Sequence, residues 1–109
     1  MEEKIKKLEA IGGKYWEGGE RKRVYFNADA VLHNSGLEVE RYNTGRISSA
    51  KYNGKEISNS WATEIINKIQ YGKIYFDLNT NKVMTSGSYS DHSQEIVDNF
   101  VSKIYEAVK

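Results

Sequence analysis

Cysteine and proline are both absent from the 109 residues of this chain. Without thiols the chain has no disulfide, no thiolate nucleophile and no zinc site built on cysteine. Small secreted domains commonly need disulfides for stability, so their absence favours a reducing compartment, and we expect the cytoplasm. The chain also lacks an apolar run long enough for a signal peptide or a membrane span, so no membrane partner is expected.

An excess of charge of either sign is also missing. Lys and Arg number 16 and Asp and Glu number 15, which gives a formal net charge of +1. A protein that coats nucleic acid through its phosphates needs a strong positive excess, so that class is disfavoured, although a local basic patch is compatible with the balance. With 39% apolar and 28% charged residues, the chain has globular composition, and residues 1–109 should form a single domain.

The common catalytic signatures are missing as well. The chain contains no glycine-rich phosphate loop, no G-x-S-x-G elbow and no H-E-x-x-H pair. His33 is interpreted as the end of a short helix and His92 as part of a surface capping turn, rather than as metal ligands or bases. Glu38 and Glu40 share a strand face and are interpreted as a charged sheet edge rather than an acid–base pair. No enzyme activity, cofactor or metal is therefore expected.

Hydrophobic periodicity predicts both helices and strands. Helices are predicted over residues 2–11, 28–34, about 60–70 and from 91 to the C-terminus, where Asp91 and Gln94 resemble a capping box. Strands are predicted over residues 21–27, 37–42, 46–52 and 73–78, with short return segments at 55–57 and 83–85. Asn53-Gly54 is the strongest turn signal, because both residues tolerate the positive φ of a tight hairpin.

Hairpin connections dominate this order of elements. The predicted architecture is α+β, with a mainly antiparallel sheet of about five strands, helices packed on one face and a long C-terminal helix. If the strands alternate regularly, the other sheet face carries Arg23, Tyr25, Tyr75 and Asp77. The apolar stripe of the last helix can pack on this sheet or on a second copy of the chain, so a homodimer is an open alternative.

The candidate binding residues fall into two clusters that mix cations with rings. The first contains Trp16, Arg21, Arg23 and Tyr25, and suits a nucleotide or RNA ligand, because rings stack on bases and guanidinium groups pair with phosphates. The alternative is that Trp16 fills the core and the arginines only begin a strand.

The second cluster, Arg41, Tyr42 and Arg46, flanks a predicted hairpin turn. If it lies beside the first, the two make one anion-binding patch. Ser58 and Asn59 begin a helix, where backbone N–H groups attract anions, although ordinary helix capping explains them equally well.

Four segments together resemble a group of small proteins encoded by phages, prophages and plasmids. These are GGKYWE at 12–17, RVYFN at 23–27, YNTGRIS at 42–48 and NGKEISNS at 53–60. The resemblance extends over about residues 12–78 and leaves out the first and last helices. It implies an anti-defence factor, of the anti-CRISPR or anti-Thoeris type, that blocks a host effector protein or sequesters a nucleotide second messenger. It transfers no individual binding residue to this chain.

The resulting hypothesis is a non-enzymatic, stoichiometric binding protein of a phage or mobile element that inhibits a bacterial defence system. Its candidate binding residues are Trp16, Arg21, Arg23, Tyr25, Arg41, Tyr42, Arg46, Ser58 and Asn59. The alternative is a small regulator that binds single-stranded RNA or DNA through a basic and aromatic sheet face. A third class, an enzyme acting on nucleotides, would need acids such as Asp29 or Asp77, which no sequence pattern assembles into a site.

Overall fold

The structure, a computed structural model, describes residues 2–109, which form four helices and seven strands. The helices are α1 (Glu2–Glu9), α2 (Ala28–His33), α3 (Asn59–Tyr71) and α4 (Asp91–Ala107). The strands are β1 (Gly13–Gly18), β2 (Arg21–Phe26), β3 (Leu37–Arg41), β4 (Ile47–Tyr52), β5 (Lys55–Ile57), β6 (Lys73–Asp77) and β7 (Lys82–Ser86). The predicted α+β class is confirmed, and none of these helices is long and apolar enough to cross a membrane.

The strands form two antiparallel sheets rather than one sheet of about five strands. The first has the order β1-β2-β6-β7 and the second the order β3-β4-β5. Strand β1 was not predicted, because glycines at both ends and the mixed residues between them give no clear alternation. It pairs with β2 in register from Gly13 with Phe26 to Gly18 with Arg21, across a turn in which Gly19 has φ of 60°.

The second sheet is a pair of local hairpins. Asn53 and Gly54 have φ of 52° and 84°, which confirms the tight turn predicted between β4 and β5. The connection from β3 to β4 includes a register shift at Glu40 and Arg41. Such a bulge bends the strand end away from its partner.

The core lies between the inner face of the four-stranded sheet and the helices. Val24, Phe26, Ile74 and Phe76 are buried on that face, and the Phe26 ring meets Phe100 of α4 edge-on at 5.2 Å. The helices contribute a second set of buried side chains, which includes Leu8, Ile65, Ile69, Ile96, Val97 and Ile104. All helix packing onto this sheet therefore comes from one side, as predicted.

The capping box of helix α4 lies one residue earlier in the chain than the predicted box of Asp91 and Gln94. The N-cap is Ser90, and the buried Ser93 hydroxyl accepts a hydrogen bond from the Ser90 N–H at 2.8 Å. Ser93 also donates to the Ser90 carbonyl at 3.1 Å. A serine three residues into the helix thus takes the place usually held by Glu or Gln in a capping box.

Replacing Ser93 with alanine is expected to lower the free energy of unfolding by about 1–2 kcal/mol, because the Ser90 N–H then loses its acceptor in a buried place. For a chain of this size that loss lowers Tm by roughly 4–16 °C. Thermal unfolding followed by circular dichroism measures it. Ser102→Ala, an exposed change in the same helix, serves as control, and equal Tm values for the two variants would contradict the capping role of Ser93.

Candidate functional site

The outward face of the four-stranded sheet carries most of the first predicted cluster. Side chains alternate along a strand, so every second residue points away from the buried layer. We call this surface the sheet face. It consists of Lys14 and Trp16 on β1, Arg21, Arg23 and Tyr25 on β2, Lys73, Tyr75 and Asp77 on β6, and Lys82 and Met84 on β7. The predicted placement of Arg23, Tyr25, Tyr75 and Asp77 on one face is confirmed.

Strand register arranges these side chains in two rows that cross the sheet. One row runs through Trp16, Arg23, Asp77 and Lys82. The neighbouring row runs through Lys14, Tyr25, Tyr75 and Met84. Because adjacent strands lie about 4.8 Å apart, each row extends roughly 14 Å across the sheet. The first row therefore presents a ring and two cations beside the Asp77 carboxylate, and the second presents a cation and two rings beside Met84.

Arg23 lies at the centre of the face and is held by its neighbours. Its guanidinium carbon is 4.4 Å from the centre of the Tyr75 ring and 5.9 Å from that of Trp16, which are cation–π distances. Its Nη1 donates to the Tyr25 hydroxyl at 2.9 Å, and this hydrogen bond raises the pKa of the guanidinium. The Nε atom is buried without a partner among residues 2–109. Arg21 is exposed and begins β2, as the alternative interpretation had it, whereas Arg23 packs against its neighbours.

Trp16 lies on the surface and not in the core. Its side chain is 43% exposed, and its indole lies over Gly18, where a Cβ would come within 2.5 Å of Cη2. The ring meets Tyr25 edge-on at 6.1 Å, and Tyr25 in turn lies 5.1 Å from Tyr75. Glycine at position 18 thus leaves room for the Trp16 ring, which forms a contiguous row of three rings with Tyr25 on β2 and Tyr75 on β6.

The charge of the face is strongly positive although the chain is nearly neutral. It carries five cations (Lys14, Arg21, Arg23, Lys73 and Lys82) and one carboxylate, that of Asp77. The Asp77 Oδ1 accepts the backbone N–H groups of Asn79 at 2.8 Å and Thr80 at 3.3 Å, so this carboxylate also shapes the β6–β7 turn. The rest of the chain must be net negative for the total to be +1.

Several members of this face were not among the predicted binding residues. Lys14, Lys73, Lys82 and Met84 reach it only because β1, β6 and β7 join β2 in one sheet. The alternation within β6 was a usable signal for Lys73, since it predicted the face of Tyr75 and Asp77. No local signal identified Lys14, because β1 was not recognised as a strand.

The second predicted cluster lies elsewhere. Arg41 ends β3, and Tyr42 and Arg46 lie in the β3–β4 connection of the three-stranded sheet. The two clusters lie on strands of different sheets, and no residue of the first cluster lines the groove that contains Arg41 and Arg46. Arg41, Arg46 and Asn59 do come together, along a groove of about 530 Å³ between this connection and α3. Tyr42 is 61% exposed and does not line it.

The polar side chains at the start of α3 mainly stabilise the fold. The Ser58 Oγ accepts the Trp61 N–H at 3.1 Å, which confirms the capping interpretation. The Asn59 side-chain amide donates to the carbonyls of Ile47 and Ser48 at 3.2 and 3.3 Å and so ties α3 to β4. Asn59 therefore positions the groove wall.

The structure places the two histidines on different helices, α2 and α4. His33 ends α2 as interpreted. His92 lies in the first turn of α4, as interpreted, and is 29% exposed because its ring packs on Trp61 at 4.1 Å. Burial, assisted by the nearby Glu95 carboxylate, raises the pKa of the adjacent Tyr52 hydroxyl. Within residues 2–109 no group of three His, Asp or Glu side chains is placed to hold a metal ion.

The two acidic residues of β3 lie on a sheet edge, as predicted. Glu38 and Glu40 are exposed, and β3 is an outer strand of the second sheet. Charge on an outer strand discourages pairing with other chains.

Comparison of the chain with family models, with curated proteins and with solved structures finds no match.

Proposed function

We propose that this chain is a non-catalytic binding protein whose sheet face binds single-stranded nucleic acid. The observation that supports the proposal is the composition of that face, which combines three contiguous rings with five cations against one carboxylate. Rings stack on bases of any sequence, and Lys and Arg pair with the phosphates between them. Four-stranded sheets with exposed rings bind single-stranded RNA by this chemistry.

The shape of the face favours an extended strand over a small molecule. Helices pack on the opposite side of the sheet, so a polymer can lie along the rows without entering an enclosed cavity. The near-zero net charge is a weaker objection than the sequence implied, because this face carries five cations against one carboxylate. Electrostatic attraction depends on the local field that a ligand meets and not on the sum over the chain.

The cellular role is proposed from the sequence resemblance alone. In that role the chain is a factor of a phage or mobile element, acts in the cytoplasm of a bacterial host, and inhibits a defence system by stoichiometric binding. A second candidate is direct occlusion of a defence effector protein by the same face. Trp16 and Met84 are 43% and 45% exposed there, and Trp, Met, Tyr and Arg are the residue types enriched at protein interfaces.

The salt dependence of binding tests the nucleic-acid proposal. Fluorescence anisotropy with labelled single-stranded RNA and DNA of about 12 nucleotides, within the usual site size of a small domain, measures the affinity. With three to five phosphates contacted at about −0.7 each, log K should fall against log salt with a slope of about −2 to −3.5. The affinity then falls about 16- to 130-fold between about 50 and 200 mM salt.

Single-charge variants locate the contact. Lys14→Gln and Lys82→Gln should each reduce the slope by about 0.7, whereas Lys7→Gln, an exposed change on α1, should leave it unchanged. No binding of either oligonucleotide, or equal effects of Lys7→Gln and Lys14→Gln, would refute the proposal. If oligonucleotides fail to bind and native mass spectrometry finds a co-purified protein whose capture needs Trp16, the effector-blocking candidate replaces it.

A further inference from the structure

The groove between the β3–β4 connection and α3 has a rigid wall. The Tyr42 N–H donates to the Arg46 carbonyl at 2.8 Å, and the Gly45 N–H donates to the Tyr42 carbonyl at 2.9 Å. The Arg41 Nη1 donates to the Gly45 carbonyl at 2.8 Å and closes the same loop from its side chain. We call this space the arginine groove. The loop fixes the Arg41 guanidinium and the backbone of Arg46 before any ligand arrives, which lowers the entropy lost on binding.

The opposite wall is an uncharged polar stripe on α3. Ser60, Thr63, Asn67 and Gln70 line the groove, at spacings that place them on one side of the helix. The same helix buries Ala62, Ile65 and Ile69 on its other side, while its charged residues Glu64 and Lys68 do not line the groove. The side-chain amides of Asn67 and Gln70 make no hydrogen bond to any residue in 2–109, so their donors and acceptors are free for a ligand.

No carboxylate balances the two arginines. The groove is lined by Arg41, Gly45, Arg46, Ile47, Asn59, Ser60, Thr63, Ile66, Asn67 and Gln70, with no Asp or Glu among them. The ion pairs within residues 2–109 join His92 with Glu95 and Lys109 with Glu106 and so leave both arginines unpaired. Two guanidinium groups without carboxylates attract an anion, and their planar fork fits a phosphate.

We propose that the arginine groove binds a phosphorylated small molecule, with the phosphate on Arg41 and Arg46 and its sugar or base against Thr63, Asn67 and Gln70. The volume of about 530 Å³ lies within the range of small-ligand sites. The phosphate chemistry is shared by nucleotides and sugar phosphates. The site is separate from the sheet face and does not depend on what that face binds.

Titration calorimetry with four probes tests the proposal: adenosine monophosphate, ribose phosphate, adenosine and inorganic phosphate. Adenosine monophosphate or ribose phosphate should bind with Kd below about 1 mM, and adenosine should bind at least about tenfold more weakly, since it lacks the charge that the arginines recognise. Tighter binding of adenosine monophosphate than of ribose phosphate identifies a nucleotide, and comparable binding identifies a sugar phosphate. Inorganic phosphate binding as tightly as both would overturn the assignment of a small-molecule site.

Matched arginine variants locate the ligand. Arg46→Gln should lower the affinity for the phosphorylated probes about 10- to 100-fold. It should leave Tm unchanged, because Arg46 is exposed and makes no side-chain hydrogen bond within residues 2–109. Arg21→Gln on the sheet face should leave their binding unchanged, and Arg46→Gln should leave oligonucleotide binding unchanged. The proposal fails if Arg46→Gln does not change the affinity for the phosphorylated probes, if Arg21→Gln lowers that affinity equally, or if no phosphorylated probe binds. None of these results bears on whether the sheet face binds nucleic acid.

Discussion

Replacing Trp16 with alanine is expected to weaken oligonucleotide binding by about 5- to 150-fold, the effect of losing about 1–3 kcal/mol of stacking on one base. Trp16 is the most exposed of the three contiguous rings and has Arg23 beside it. Removing the Trp16 ring takes away a surface on which a base can stack and also one of the two rings that contact the Arg23 guanidinium. Fluorescence anisotropy at constant salt measures the change, and the salt slope should stay the same, because no charge is removed.

Two comparison variants separate stacking from general damage. Trp16→Phe keeps a flat ring and should recover much of the affinity. Tyr71→Ala changes a residue that is 87% exposed at the end of α3 and is not a member of the sheet face, and it should have no effect. If Trp16→Ala binds within twofold of the parent while its Tm is unchanged, bases do not stack on this ring.

Gly13→Ala is expected to lower the free energy of unfolding by about 2–3 kcal/mol, which for a chain of this size corresponds to a fall in Tm of roughly 8–24 °C. A Cβ at Gly13 would clash with Val24 Cγ1 and would lie 2.9 Å from the Leu8 carbonyl oxygen and 3.0 Å from Phe26 Cε1. Val24, Leu8 and Phe26 are all buried, so none can move without disturbing the core. Calorimetric unfolding measures the loss.

The functional consequence of Gly13→Ala follows from the position of β1. Strand β1 carries Lys14 and Trp16, so displacing it should also weaken oligonucleotide binding. Gly19→Asn is the control, because Gly19 has φ of 60° with nothing within 4 Å of a Cβ, and asparagine tolerates that conformation. A Gly13→Ala protein that melts within two degrees of the parent would show that β1 can shift without cost.

Predictions from local sequence were successful where the signal lay within one element. Helix α3 was predicted at about 60–70 and lies at Asn59–Tyr71 because its isoleucines recur at helical spacing. The Asn53-Gly54 hairpin was predicted because few residue pairs adopt positive φ twice in succession. Serine in place of Glu or Gln at the third position of α4 concealed its true cap.

Predictions about the site were successful only in part, because they depend on contacts between distant segments. Whether Trp16 is buried depends on Gly18 beneath it and on the open side of the sheet, and neither was evident before β1 was known to be a strand. The two arginine clusters looked equivalent along the chain. They separate because β2 pairs with β6, about fifty residues away, while β3 pairs with β4.

The order of amino acids alone determined the α+β class, the positions of the helices, the tight turns and the alternation that places Arg23, Tyr25, Tyr75 and Asp77 on one face. These properties depend on residues a few positions apart, whose spacing and φ preferences can be read directly. Only the tertiary structure decided that there are two sheets, that five cations share one face of the first sheet, and that Arg41 and Arg46 line a groove with α3. Those outcomes depend on which strands pair and in what register, and pairing is set by the combined packing of segments that are far apart in the chain.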